Sequence, residues 1–376
     1  MKGLLGAAVC ALALAISPAV ALADVGQART AGGGPGQKYD RNPSVVRDGA
    51  ATYLFFARSQ PQCDRLAPIP TPGCPDNIPY DLYYKKSLDG GKTYGPATLA
   101  AQNTFGPTFY GRTISATATA DGVHVFWASG GTIDRVYHVF KATGTDTFSS
   151  PQQVPGTPPT VFNAWAVSRG GSIFLYTEEY NPLQSITARR YTPNGPNLTQ
   201  TGGPTQVPDS NDANIPKAIV DDAGVIRLTM VKPTEGADYV SSSADGLTFT
   251  PPTPAAPPTG PGVIDWDPNL VQNAGGVYFL YFAPDHGNGT QRIGVTSSVD
   301  FVHWTAPREI TPGKKGQRRY WDYWPEPVLR GGQVVLYYTS ERGFVDGETS
   351  TRYPTGQGHI WTNPGFGGLD HLGPAA

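Results

Sequence analysis

A unit of about fifty residues recurs along the chain, and this period constrains the fold more than any other feature. The unit is an apolar strand, a turn, a second apolar strand, a third strand, and then a turn holding Ser-x-Asp and an aromatic. The clearest turn is Ser87-Leu88-Asp89-Gly90-Gly91-Lys92-Thr93-Tyr94. Looser versions begin at Ser243 and Ser298, and Thr145-Asp146-Thr147-Phe148 is a degenerate one. The aspartates are spaced by 57 residues from Asp89 to Asp146, 99 from there to Asp245 and 55 on to Asp300, so the middle gap is two periods. Alternating apolar runs keep the same beat. They begin near Thr52, Val123, Ser172, Val225, Val277 and Val334, and prolines (Pro43, Pro216, Pro268, Pro327) mark the start of the strand before several of them. Short, evenly spaced strands with turn signals indicate a sandwich, barrel or propeller, and a period near fifty favours four-stranded propeller blades. The reading is an all-β fold, a six-bladed β-propeller of four-stranded antiparallel blades, with five or seven blades as the alternatives. The last unit is incomplete after Trp361, and the segment before Tyr39 is the candidate for its missing strand, since an open ring would expose sheet edges.

Composition narrows the class. The formal net charge is −2, which gives no bulk attraction for nucleic acid or an anionic membrane. Gly (46) and Pro (37) are abundant while charged residues are 15%, as short strands joined by tight turns require. Residues 1–23 read as a signal peptide, with Lys2, an apolar core from Leu4 to Ile16 and the small-residue site Ala21-Leu22-Ala23. The apolar run is too short for a membrane span. Residues 24–38 form a flexible segment that is the candidate for the closing strand, and 39–376 a single propeller domain. Export to the medium or periplasm is the expected localisation, as a monomer. Cleavage leaves Cys63 and Cys74, an even count that suggests a disulfide in an exported chain, with two free thiols the alternative. No Cys/His cluster has zinc spacing, and no cofactor is expected, with a structural axial cation such as calcium as the alternative.

The first unit resembles the sialidase superfamily. Arg41-Asn42-Pro43-Ser44-Val45-Val46 looks like its Arg-Ile-Pro motif, and Asp81 to Tyr94 looks like a third strand running into an Asp-box. That resemblance implies Arg41 and Arg58 as carboxylate-gripping arginines, Arg292 as their partner, and Asp76 as acid/base. It then departs from the family: Lys217 stands where a glutamate is expected, Lys232 where an arginine is, and Glu326 nearest to the expected tyrosine. Glu-assisted tyrosine chemistry therefore looks absent. The fifth unit, Asp265-Trp266-Asp267-Pro268-Asn269-Leu270 onward, is similar to arabinanase, xylosidase and fructosidase propellers, which implies a catalytic Asp-Pro and a glutamate acid on another blade.

A propeller gathers the starts of its innermost strands around one axis. Those starts carry Arg41, Arg112, Trp165, Lys217, Asp265, Asp267, Asp322 and Glu326, with Trp266, Trp321, Tyr323 and Trp324 interleaved. Glycoside hydrolysis needs one carboxyl group to protonate the leaving oxygen and a second as nucleophile or base. Asp267 and Glu326 are the expected pair, with Asp76 as alternative acid. Arg41, Arg58, Arg112, Lys217, Asp265, Trp266, Arg292, Asp322 and Trp324 are expected to bind a carbohydrate, acidic or neutral. Glu178 and Glu179, which follow a strand, read as rim residues. Two other classes fit the same residues: a polysaccharide lyase using Lys217, a Tyr or His286 as base, and a non-catalytic carbohydrate-binding propeller.

Overall fold

The structure is a computed structural model that describes residues 29–30, 40–59, 80–105, 113–129, 135–180, 183–255, 263–285, 290–311, 320–341 and 358–363. Asp76, Cys63, Cys74, Arg112, His286 and the signal peptide lie outside these residues. Every regular element described is a strand, so no described helix is long and apolar enough to cross a membrane.

The chain folds as an all-β propeller of four-stranded antiparallel units. Four sheets have four strands each, running in chain order from inside to outside. Their inner strands are Asp40–Asp48, Ile114–Ala118, Val161–Arg169 and Asn214–Val220. The fifth sheet has nine strands and supplies two inner strands, Ile264–Gln272 and Tyr320–Arg330. Counted as hydrogen-bonded sheets, the propeller has five blades, the alternative, and not the expected six. One two-residue strand makes the difference. Thr290–Gln291 pairs antiparallel with Asp285 on one side and parallel with Tyr320–Trp321 on the other, which welds two four-stranded leaves into one sheet. In the second leaf, Arg29–Thr30 forms the edge, pairing with Thr362 and Trp361 of the strand Gly358–Asn363.

The six inner strands contact one another in sequence, and the last contacts the first, so they ring a common axis. Apolar layers fill the spaces between neighbouring leaves. Tyr53 and Phe55 meet Val123 and Val125; Phe279 and Tyr281 meet Leu336 and Tyr338 where the nine-stranded sheet folds on itself; Leu54 and Phe56 meet Val335 and Tyr337 to close the ring. This is why the strands are apolar on both faces: each sheet is buried between two others.

The Ser-x-Asp turns hold themselves and then hold a neighbour. Asp89 Oδ1 accepts the N–H groups of Lys92 and Thr93 at 2.9 Å, Asp245 Oδ1 those of Leu247 and Thr248, and Asp300 Oδ1 those of Val302 and His303. An arginine at the end of another leaf's inner strand then reaches the turn: Arg330 Nη1 donates to Gly91 O (2.8 Å) and Arg169 Nη1 to Ala244 O (2.6 Å). The degenerate turn works differently, its Asp146 accepting from Lys86 Nζ and Tyr53 OH of the first sheet.

The second sheet carries a liability to acid. His124 and His138 are buried with their rings 6.1 Å apart, among Phe126 and Phe140. Burial pushes both down to about 4, outweighing the pull of Asp121, 3.8 Å from His124. An unfolded histidine titrates near 6.5, so below that pH the unfolded chain takes up protons that the folded one refuses. Stability is expected to fall as the pH drops from about 6.5 towards about 4, by up to about 3 kcal/mol per histidine. Thermal unfolding across that window should show a flatter dependence for the double variant His124→Leu, His138→Leu; an unchanged slope would remove the histidines as its cause.

Candidate functional site

Four of the six inner strands open with the same irregularity. Their register shifts between Arg41 and Ser44, Asn214 and Lys217, Trp266 and Asn269, and Tyr323 and Glu326, so that two residues oppose one on the partner strand. Each shift is a β-bulge whose second residue is a proline, which has no N–H to give a ladder. The residue before that proline has positive φ: Asn42 (54°), Ile215 (52°), Asp267 (61°) and Trp324 (51°). Asn and Asp tolerate this region, whereas for β-branched Ile215 and bulky Trp324 it is strained. Strain gathered at one rim of a ring marks a place where side chains are being aimed. The bulge proline of the last strand is Pro325, not the Pro327 of the sequence reading. Three bulges share the pattern Asp-x-x-Pro, and their leading residues, Asp40, Asp265 and Asp322, are fully buried.

Asp267 and Glu326 come from the neighbouring inner strands of the nine-stranded sheet and face a common cation, Lys217 of the fourth sheet. The three side chains are nearly enclosed, with exposures of 4%, 6% and 3%. Lys217 Nζ donates to Pro325 O at 3.2 Å, with the Trp165 ring centroid 5.4 Å from it. Asn269 Nδ2 donates to the same carbonyl at 3.0 Å and to Glu326 Oε2 at 2.7 Å, while Val45 N donates to Glu326 Oε1 at 3.2 Å. Asp267 Oδ2 accepts Trp324 N at 3.3 Å, and Oδ1 has no hydrogen-bond partner among the described residues.

Burial dominates the electrostatics. It lifts Glu326 to about 7, against the pull of Lys217, the Val45 amide and Asn269. It lifts Asp267 to about 6, against Lys217 and the Trp324 amide. The same desolvation lowers Lys217, and the two carboxylates oppose it. Behind Asp267 lies Asp238, on the third strand of the fourth sheet. It is wholly buried, neither oxygen has a hydrogen-bond partner among the described residues, and burial together with Asp265 and Asp267 raises it well above the usual carboxylate range. Such surroundings favour its protonated form. Among the described residues, no group of three or more His, Cys, Asp or Glu side chains is arranged to hold a metal ion.

The other expected site residues are distributed more widely. Arg41 is buried, its guanidinium 5.8 Å from the Trp324 ring centroid and 6.0 Å from that of Tyr80. Trp266 is half-buried beside Asp265 and Asp267. Arg58 is bound by Asp40 through two bonds of 2.6 and 2.8 Å. Arg292 pairs with Glu309 of an outermost strand at 2.8 Å. Trp165 donates Nε1–H to Ala218 O, a contact between leaves. Glu178 is not a rim residue: it is buried, and it accepts from Asn163 Nδ2 (2.7 Å) and from the N–H of strained Ile215 (2.8 Å). Asn269 and Asp238 went unnoticed in the sequence. Asn269 had a signal, since it follows its bulge proline as Lys217 and Glu326 follow theirs; Asp238 had none.

No family model matches the chain, and no curated protein sequence does. Solved structures do. A protein of unknown function from Dyadobacter fermentans is similar with a TM-score of 0.64 and 16% identity, over 87% of this chain and 94% of that one. The Trypanosoma rangeli sialidase is similar with a TM-score of 0.59 and 10% identity, over 89% of this chain and 56% of that one. A Hadza microbial sialidase follows with 0.54 and 14%, over 86% and 65%. The chain thus spans less than two thirds of either sialidase. At such identities the likeness establishes the fold, a sialidase-like β-propeller.

Proposed function

We propose that the chain is an exported glycoside hydrolase in which Glu326 protonates the leaving oxygen and Asp267 acts as nucleophile or base. One observation carries the reading: two carboxyl groups on adjacent inner strands face one lysine, and their surroundings hold them at about 6 and about 7. Near neutral pH this division leaves the lower group ionised and the higher one partly protonated, as the two roles require. Half-buried Trp266, between Asp265 and Asp267 on its strand, supplies a ring on which a sugar can stack its C–H face. Arg58, Arg292 and Lys217 each face a protein carboxylate and so lend little net positive charge to a ligand. That favours a neutral sugar over an acidic one and speaks against a lyase, which needs cations to neutralise a uronate. The chemistry proposed uses no cofactor.

The test is incubation with a panel of neutral and acidic oligosaccharides, with products read by mass. Fragments that have gained water are expected from at least one neutral substrate. Fragments formed without water gain would replace hydrolysis by elimination.

A second reading, a carbohydrate-binding propeller without turnover, is favoured by one fact: both carboxyl groups are already hydrogen-bonded inside the protein. It predicts glycan binding with no products, unaltered by Glu326→Gln or Asp267→Asn.

A further inference from the structure

We propose that Lys217 and Asn269 are positioning residues that reach from two inner strands to a third and fix both the place and the charge of Glu326, using the carbonyl of Pro325 as their shared anchor. The catalytic meaning of this inference rests on the proposed role of Glu326; its geometry does not.

Two donors meet on one oxygen, Lys217 Nζ at 3.2 Å and Asn269 Nδ2 at 3.0 Å. Pro325 O lies in the peptide plane that contains the nitrogen and Cα of Glu326, so gripping it orients the residue that follows. The Asn269 amide has two hydrogens, and the second goes to Glu326 Oε2 at 2.7 Å. Asn269 therefore holds the side chain and the backbone of the same residue. Lys217 is buried, 3% exposed. A buried ammonium needs compensation, and it has a carbonyl, the Trp165 ring, Asp267 from the fifth inner strand and Glu326 from the sixth. Two further acids stand nearby, Asp265 and Asp238, and burial together with Asp265 and Asp267 favours the protonated form of Asp238. Lys217 thus favours the ionised form of both carboxyl groups, and Asn269 that of Glu326 alone.

The experiment is a carbon-13 carboxyl NMR titration of the full chain, with Glu326→Gln and Asp267→Asn giving the assignments. Lys217→Met is expected to raise the midpoints of both carboxyl groups by about one pH unit, a tenfold gain in proton affinity. Lys217→Arg should restore them. Asn269→Leu should raise Glu326 and leave Asp267 in place. Where Lys217→Met fails to fold, Lys217→Gln keeps a donor for the Pro325 carbonyl while removing the charge, and the same two shifts are expected. Unmoved midpoints in the lysine variants, or equal shifts of both groups in Asn269→Leu, overturn the proposal. The readout needs no substrate: shifts as stated without any cleaved glycan leave this inference standing and remove the hydrolase reading, whereas turnover with unmoved midpoints does the reverse.

Discussion

Replacing Glu326 by Gln, or Asp267 by Asn, is expected to lower kcat on a cleaved glycan by about 10²–10⁴-fold, the range a positioned acid or base contributes. Binding should survive, because neither change removes the half-buried ring of Trp266. The wild-type rate should trace a narrow bell. It rises with pH through about 6 as Asp267 loses its proton, and falls through about 7 as Glu326 loses its own. Glu326→Gln should abolish the falling limb, and Asp267→Asn the rising one, in whatever activity remains. Stopped-flow or discontinuous assays between about pH 4 and pH 9 test this. Retention of full turnover in both variants would leave the buried pair as a structural knot.

The second large effect is on stability. Arg58→Met is expected to cost about 3–5 kcal/mol, because it strips a bidentate partner from a buried carboxylate. Asp40 is fully buried, and the Arg58 guanidinium also lies beside the stacked pair Phe56 and Tyr83, whose ring centroids are 5.1 and 4.9 Å away. The measurement is the urea midpoint of unfolding. Combining Arg58→Met with Asp40→Leu should recover part of the loss, since an apolar pair needs no compensation. A sialidase-type role for Arg58, gripping a substrate carboxylate, predicts the opposite division: weaker binding of acidic sugars and an unchanged midpoint.

The propeller was legible in the sequence because each leaf repeats the same order of apolar strands and turns. The number of sheets was not, since Thr290–Gln291 is too short to leave a periodic trace, and a parallel pairing of two residues decides whether two leaves count as one sheet. The site was legible in part for the same reason that the fold was. Prolines near the strand starts point to Lys217 and Asp267, and an aromatic, acidic run points to Glu326. Anchoring the last strand on Pro327 obscured the rest. With Pro325 as its bulge, Ser44, Lys217, Asn269 and Glu326 fall at one position of their leaves, and Asn269 stands out as a member of that set. Asp238 and Glu178 belong to the third and second strands of their sheets, where nothing in the spacing separates an acid that turns inward from one in water.

The left-handed residues before the four bulge prolines carry a lesson for anyone wishing to make this protein more heat-resistant. Chirality alone penalises that backbone by about 1–2 kcal/mol per residue, so Ile215 and Trp324 are natural targets for relaxation. Yet Ile215 gives its amide to Glu178 and precedes Pro216 and Lys217, while Trp324 gives its amide to Asp267 and precedes Pro325 and Glu326. Easing either would loosen the aim of the neighbouring charge. Thermal hardening belongs instead at the far end of the strands, in the arginine-clasped turns, where rigidity and chemistry do not compete.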